Sequence, residues 1–175
     1  MDIQDENNLH ILVVDDDENV LEMLIESGIE LGFQVSSAQD GHAALKMCED
    51  QEFDAIFSDI MMPVMNGLDF LAQLRAQGKE TPVVLVTGAG LGRENTLAAV
   101  RLGAFDFIEK PWSMVALRDT MCMASEFGMR QRRVKLMLAI PESERTSHQK
   151  HQLEIDQKFL MLGPVVHNKK RAASA

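Results

Sequence analysis

The sequence predicts an α/β protein built on a five-stranded parallel sheet with helices on both faces. Three observations carry that prediction. Short apolar runs recur five times between Leu9 and Glu109. Most are continuously apolar rather than alternating. Each is followed by a segment with apolar residues at helical spacing. Strands buried on both faces read as unbroken apolar runs, and parallel neighbours need a helical crossover between them.

The elements follow in order. Leu9–Val14 is a buried strand that ends in Asp15, Asp16 and Asp17. Asp17 or a neighbour can cap a helix carrying Val20, Leu21, Leu24, Ile25 and Leu31, closed by Gly32. Phe33–Ala38 is the second strand and Asp40–Glu49 the second helix. Phe53–Ser58 forms the third strand, ending at Asp59. Asn66–Gln77 is the third helix, with Leu68, Leu71 and Leu74 three apart. Pro82–Val86 is the fourth strand, Asn95–Leu102 the fourth helix and Ala104–Glu109 the fifth strand. Trp112 opens the fifth helix, where Met114, Leu117 and Met121 can cover the sheet.

Composition narrows the class further. An apolar share of 46% and a charged share of 25% suit a soluble globular chain. No apolar run approaches the roughly 20 residues of a membrane span, and the acidic start MDIQDENN is no secretion signal. Cys48 and Cys122 lack metal or redox spacing and read as buried small hydrophobes in a reducing compartment, which makes the cytoplasm the expected location. The net charge of −10 hides an asymmetry: residues 1–129 hold 23 acidic and 7 basic side chains, residues 130–175 hold 4 and 10. The chain is therefore read as a domain over 1–128 and a basic helical extension with a disordered end over 129–175.

In open parallel sheets, ligands bind beyond the carboxyl ends of the strands. Those ends carry Asp15 and Asp16, Asp59, Thr87 and Lys110. One Asp after a strand is ordinarily a helix cap, a lone Thr is ordinarily structural, and a lone Lys is a solvated charge. Five unrelated residues would rarely supply this set in this strand order. Converging carboxylates repel, and Mg2+ with oxygen ligands relieves them, while Thr87 and Lys110 suit phosphoryl oxygens. The set can hold a phosphoryl group on a carboxylate.

The stretches ILVVDDDENV, FSDIMMPVMNG, VVLVTGAG and GAFDFIEKPW, spread over roughly residues 9–128, resemble the receiver domain of two-component response regulators. The resemblance implies a flavodoxin-like sheet of order 2-1-3-4-5, the order for which a receiver is a standing example. It implies that Asp59 accepts a phosphoryl group from a sensor histidine kinase or phosphotransfer protein. Asp15, Asp16, Asp59 and the backbone carbonyl of Met61 would hold Mg2+, with Mn2+ as a substitute. Thr87, Gly88 and Lys110 would bind phosphoryl oxygens, and Phe107 would couple to Thr87 as the switch. Pro63, Gly67 and Pro111 would shape the site, with a cis bond before Pro111. The chain would then be a phosphoacceptor that assists its own phosphorylation and dephosphorylation rather than an enzyme. Apolar Met61 and Ala89 beside the site imply slow hydrolysis of the phosphoryl-Asp. The glycine-rich TGAGLG (Thr87–Gly92) reads as the moving loop, because it matches neither phosphate-cradling glycine pattern.

Beyond the domain, Ala124, Phe127, Val134 and Leu138 form a second helical stripe, interrupted by Thr120 and Gln131, and RQRRVK (Arg130–Lys135) lies within it as a charged, solvated face. Pro141 ends this helix. After the polar ESERTSHQKHQ comes an amphipathic segment with Ile155, Phe159 and Leu162, then HNKKRAASA, read as disordered. The expected output is contact with a downstream protein, with a homodimer through the fifth helix and its extension as one form. DNA binding by the basic tail is the alternative, disfavoured because the tail has no aromatic platform or paired helices and the rest of the chain is acidic. An aspartyl phosphatase is a rival from another class, but DDDENV does not fit its D-x-D-x-[TV] pattern. A binding-only relative ranks low because all five site residues are present.

Overall fold

The computed structural model describes residues 9–88 and 92–163. Ala89 and the HNKKRAASA end lie outside the described residues. The chain divides into two compact units, Met1–Glu126 and Phe127–Ala175.

The first unit is an open parallel sheet. Its strands are β1 (His10–Val14), β2 (Gln34–Ala38), β3 (Ala55–Asp59), β4 (Val83–Thr87) and β5 (Asp106–Glu109). All four pairings are parallel and the order is β2-β1-β3-β4-β5, as the sequence implied. The helices are α1 (Glu18–Glu30), α2 (Gly41–Asp50), α3 (Gly67–Ala76), α4 (Arg93–Arg101) and α5 (Met114–Ala139), the last running into the second unit.

Strand alternation splits the core into two layers. Leu12, Val14, Ile56 and Leu85 face one layer with Leu45, Phe70, Leu71, Leu74 and Ala99 from α2, α3 and α4. Ile11, Val13, Phe57, Val84 and Val86 face the other with Leu21 and Leu24 of α1 and Leu117 and Met121 of α5. Strands apolar on both faces are thus buried on both faces, which is what their unbroken apolar runs required.

Side-chain caps start the first three helices. Asp17, Asp40 and Asn66 cap α1, α2 and α3 by accepting from the backbone N–H of Asn19, Ala43 and Asp69. The structure moves the start of the fifth helix from Trp112 to Met114: Ser113 Oγ accepts from the Ala116 N–H at 3.1 Å, while Trp112 packs on the second core layer. Met114 is consequently exposed, and only Leu117 and Met121 of the three expected covering residues are buried. Cys122 is exposed as well, whereas Cys48 is buried and its thiol is pushed up to about 11 by that burial.

The second unit is a helical hairpin made of the end of α5 and α6 (Ser147–Leu162). The α5 helix stops before Pro141, and Arg145 donates to the carbonyls of Ile140 (2.9 Å) and Leu138 (3.3 Å). A reciprocal capping box between Thr146 and Gln149 starts α6, so the helix begins inside the stretch read as merely polar. RQRRVK is not simply a solvated face. Arg130 Nη1 donates to Asp156 at 2.9 Å, and Arg133 donates through Nε and Nη2 at 2.6 and 2.7 Å. The Asp156 side chain is fully buried, which would raise its carboxyl, but the bonds and charge of Arg133, then Gln152 and Arg130, hold it below the usual carboxylate range. The Arg130 guanidinium also lies 4.2 Å over the Phe159 ring. Among the described residues, no helix is long and apolar enough to cross a membrane.

Candidate functional site

The site forms where the carboxyl ends of β1, β3, β4 and β5 come together. Asp15 follows β1, Asp59 is the last residue of β3, Thr87 is the last residue of β4, and Lys110 follows β5. Because β1 and β4 flank β3, the Asp59 carboxylate is central.

Burial brings the charged groups into direct contact. Asp15 is 1% exposed and Asp59 5% exposed. Lys110 Nζ bridges them, 2.9 Å from Asp15 Oδ2 and 2.6 Å from Asp59 Oδ1. Backbone donors complete the carboxylates: the Asp17 N–H donates to Asp15 Oδ1 at 3.0 Å, and the Met61 N–H donates to Asp59 Oδ2. Desolvation pushes the Asp15 carboxyl up, against the opposing pull of Lys110. For Lys110, burial favours the neutral amine most strongly, yet the bonds and charges of Asp59 and Asp15 together raise it above the usual lysine value.

The neighbours are placed by the loops. The Thr87 hydroxyl donates to the Gly88 carbonyl at 2.9 Å, and the Lys110 N–H donates to the Thr87 carbonyl at 2.6 Å. Phe107 pairs with Leu85 in register, so it lies on the same face of the sheet as Leu85 and Thr87. It is half-buried against the first core layer. Asp16 is exposed, and so are Met61 and Pro63. Gly67 is required by close approach. A Cβ there would lie 2.3 Å from the Asp59 carbonyl oxygen, and the Gly67 N–H donates to Ile60 at 2.9 Å. The Lys110–Pro111 bond is cis.

The donor set suits a hard cation. Two buried carboxylates against one ammonium leave one negative charge in excess, and every available ligand atom is oxygen. Among the described residues, no three acidic, histidine or cysteine side chains converge as a ready-made cage. Mg2+ needs only one or two carboxylates, keeping water and substrate oxygens for the rest, so the residues fit it.

Two features lay beyond the sequence reading. Val64, in the loop between Asp59 and α3, has φ 67° although it is β-branched and 90% exposed. Gly41 accommodates the Met65 side chain, which a Cβ would approach to 2.8 Å. No sequence pattern signals the first. For the second, a glycine at the first position of a helix was the available hint.

The sheet order and this acid-lysine constellation define a receiver of the two-component type. The family model for the response regulator receiver domain matches residues 11–121, and the chain belongs to that family. The regulatory protein AtoC of Escherichia coli is 38% identical over 104 residues, 59% of this chain and 22% of that protein. The response regulator MprA of Mycolicibacterium vanbaalenii is 38% identical over 109 residues, 62% of this chain and 47% of that one. The chain thus spans less than half the length of these curated relatives. Among solved structures, the Vibrio cholerae chemotaxis protein CheY4 is similar at 30% identity and a TM-score of 0.62, covering 66% of this chain and 98% of that one.

Proposed function

We propose that this receiver is a phosphorylation-dependent switch in which Asp59 accepts the phosphoryl group. The observation that carries the reading is a buried Asp59 carboxylate at the centre of the strand ends, contacted by Lys110 and backed by Asp15. A sensor histidine kinase or phosphotransfer protein is the donor. The phosphorus–nitrogen bond of its phosphohistidine breaks, and the phosphorus–oxygen bond to Asp59 forms.

Each neighbour has a role that its chemistry allows. Asp15, Asp16, Asp59 and the Met61 carbonyl would hold Mg2+, which supplies charge neutralisation for the transferring oxygens. Lys110 stays charged, moves from the Asp59 carboxylate to a phosphoryl oxygen, and stabilises the added negative charge. Thr87 and Gly88 contribute a hydroxyl and a backbone N–H to the other oxygens. Drawing Thr87 towards them alters the sheet face that it shares with Phe107, and this couples the site to a distant surface. The output is contact with a downstream protein, self-association through the end of α5 and its extension included, in the cytoplasm. The chain assists its own phosphoryl gain and loss without turning over a separate substrate.

The test is intact mass after incubation with a small acyl-phosphate donor, with and without Mg2+, beside Asp59→Asn. A phosphoryl-sized gain that requires both Mg2+ and Asp59 is the expected result; a gain that survives Asp59→Asn would sink the assignment. Met61 is apolar and exposed and cannot orient an attacking water, so the phosphoryl-Asp is expected to persist for minutes or longer. A lifetime of seconds in the isolated protein would contradict that.

A further inference from the structure

The loop between Asp59 and α3 carries three methionines, and the fold treats them differently. Met62 and Met65 are buried at 7% and 3% exposure, whereas Met61 is 75% exposed. Met61 is also fastened beside the acceptor, because its backbone N–H donates to Asp59 Oδ2. The rest of the loop holds it there. The Met65 N–H donates to the Pro63 carbonyl at 2.7 Å and the Gly67 N–H to the Ile60 carbonyl at 2.9 Å, while the Met65 side chain packs against Gly41. An exposed thioether is thus tethered, through its own backbone, to the carboxylate that would carry the phosphoryl group.

We infer that Met61 is a redox modification site, and that its conversion to the sulfoxide by a peroxide shortens the life of the phosphoryl group on Asp59. This control rests on the phosphoryl reading above, since it acts on the same site. A sulfur lone pair of Met61 takes one oxygen from hydrogen peroxide and the O–O bond breaks. The departing hydroxide removes the proton of the transferred oxygen and leaves as water, so sulfur is oxidised by two electrons and the peroxide reduced by two. Burial shields Met62 and Met65, because the peroxide must reach the sulfur. The consequence follows from the new oxygen. A thioether is a weak acceptor, so the unmodified side chain orients no water towards the phosphorus. The polar sulfoxide accepts a hydrogen bond from a water and holds it for attack, and orientation of a reactant is a large part of any rate. Oxidation leaves the backbone carbonyl offered to Mg2+ unchanged. Enzymatic reduction of the sulfoxide restores the apolar side chain, which makes the change reversible.

The test is peptide-mapped mass of the full chain after graded hydrogen peroxide, then the phosphoryl lifetime after loading from a small acyl-phosphate donor with Mg2+. One added oxygen is expected at Met61 before Met62 or Met65, and the lifetime should fall at least about fivefold. Methionine sulfoxide reductases should restore it. In Met61→Leu, peroxide should leave the lifetime where it stood before treatment. Met61→Gln carries a permanent acceptor and should be short-lived without peroxide. Oxygen on Met62 or Met65 first, or a sulfoxide at Met61 with an unchanged lifetime, overturns the inference. So does a peroxide effect that persists in Met61→Leu, or a Met61→Gln chain as long-lived as the wild type. No phosphoryl gain before oxidation would instead overturn the phosphoryl reading, and this control with it.

Discussion

Two buried carboxylates share one ammonium at the carboxyl end of the sheet, and that imbalance governs single substitutions there. Asp15 is held above its ordinary value by desolvation, so its ionised form opposes folding at neutral pH. Asp15→Asn should therefore raise the melting temperature by a few degrees while cutting Mg2+-dependent phosphorylation; a thermal melt and the intact-mass assay check both halves. Nearby, Val64 holds a left-handed conformation that a β-branched residue adopts at a cost of about 1–2 kcal/mol. Val64→Gly should stabilise the protein by about 1 kcal/mol in urea titration, since strain relief outweighs the extra chain entropy. Gly67→Ala should do the reverse. Its methyl would meet the Asp59 carbonyl, costing about 1–3 kcal/mol and slowing phosphoryl transfer by displacing the acceptor.

Among the elements, the hairpin of α5 and α6 depends most visibly on one residue. Asp156→Ala removes the buried carboxylate that Arg130 and Arg133 share, a loss worth about 3–5 kcal/mol. Hydrogen exchange should then show α6 losing protection while β1, β3 and β4 keep theirs. The pH dependence follows from the lowered Asp156 carboxyl. The unfolded chain binds the proton more readily, so the stabilisation is complete above the unfolded value of about 3.9. It fades as pH falls through the lower folded value. Exchange protection of α6 should thus be flat from neutrality to mild acid and decline only in strong acid, a profile that Asp156→Asn should remove.

At the scale of the molecule, the two core layers of the sheet are made wholly from residues between Leu9 and Ala124. A fragment ending at residue 128 should therefore unfold in one cooperative thermal transition and still take up a phosphoryl group on Asp59. Calorimetry and intact mass test this together, and a fragment that aggregates or melts without cooperativity would show that the extension is needed for folding. The acidic excess belongs to this unit, and the basic excess to the other.

The order of strands and helices is legible in the residues alone, because strands buried on both faces must be continuously apolar and helices between them must show a spacing of three and four. The sequence also placed Asp15, Asp59, Thr87 and Lys110 together, because the carboxyl ends of parallel strands share one edge. Side-chain geometry was decided only by tertiary structure. That Lys110 bridges both carboxylates depends on how deeply they are buried, and the strain at Val64 is a backbone property that residue type does not announce. The hairpin shows the reason most plainly. Periodicity marks Ile155, Phe159 and Leu162 as one amphipathic stripe, yet of these Phe159 meets Phe127 and Arg130 of α5 while Ile155 and Leu162 are exposed, and it is Leu153 and the arginine-paired Asp156 that are buried. Hydrophobic spacing records which residues share a face, and long-range pairing of charges decides which face is buried.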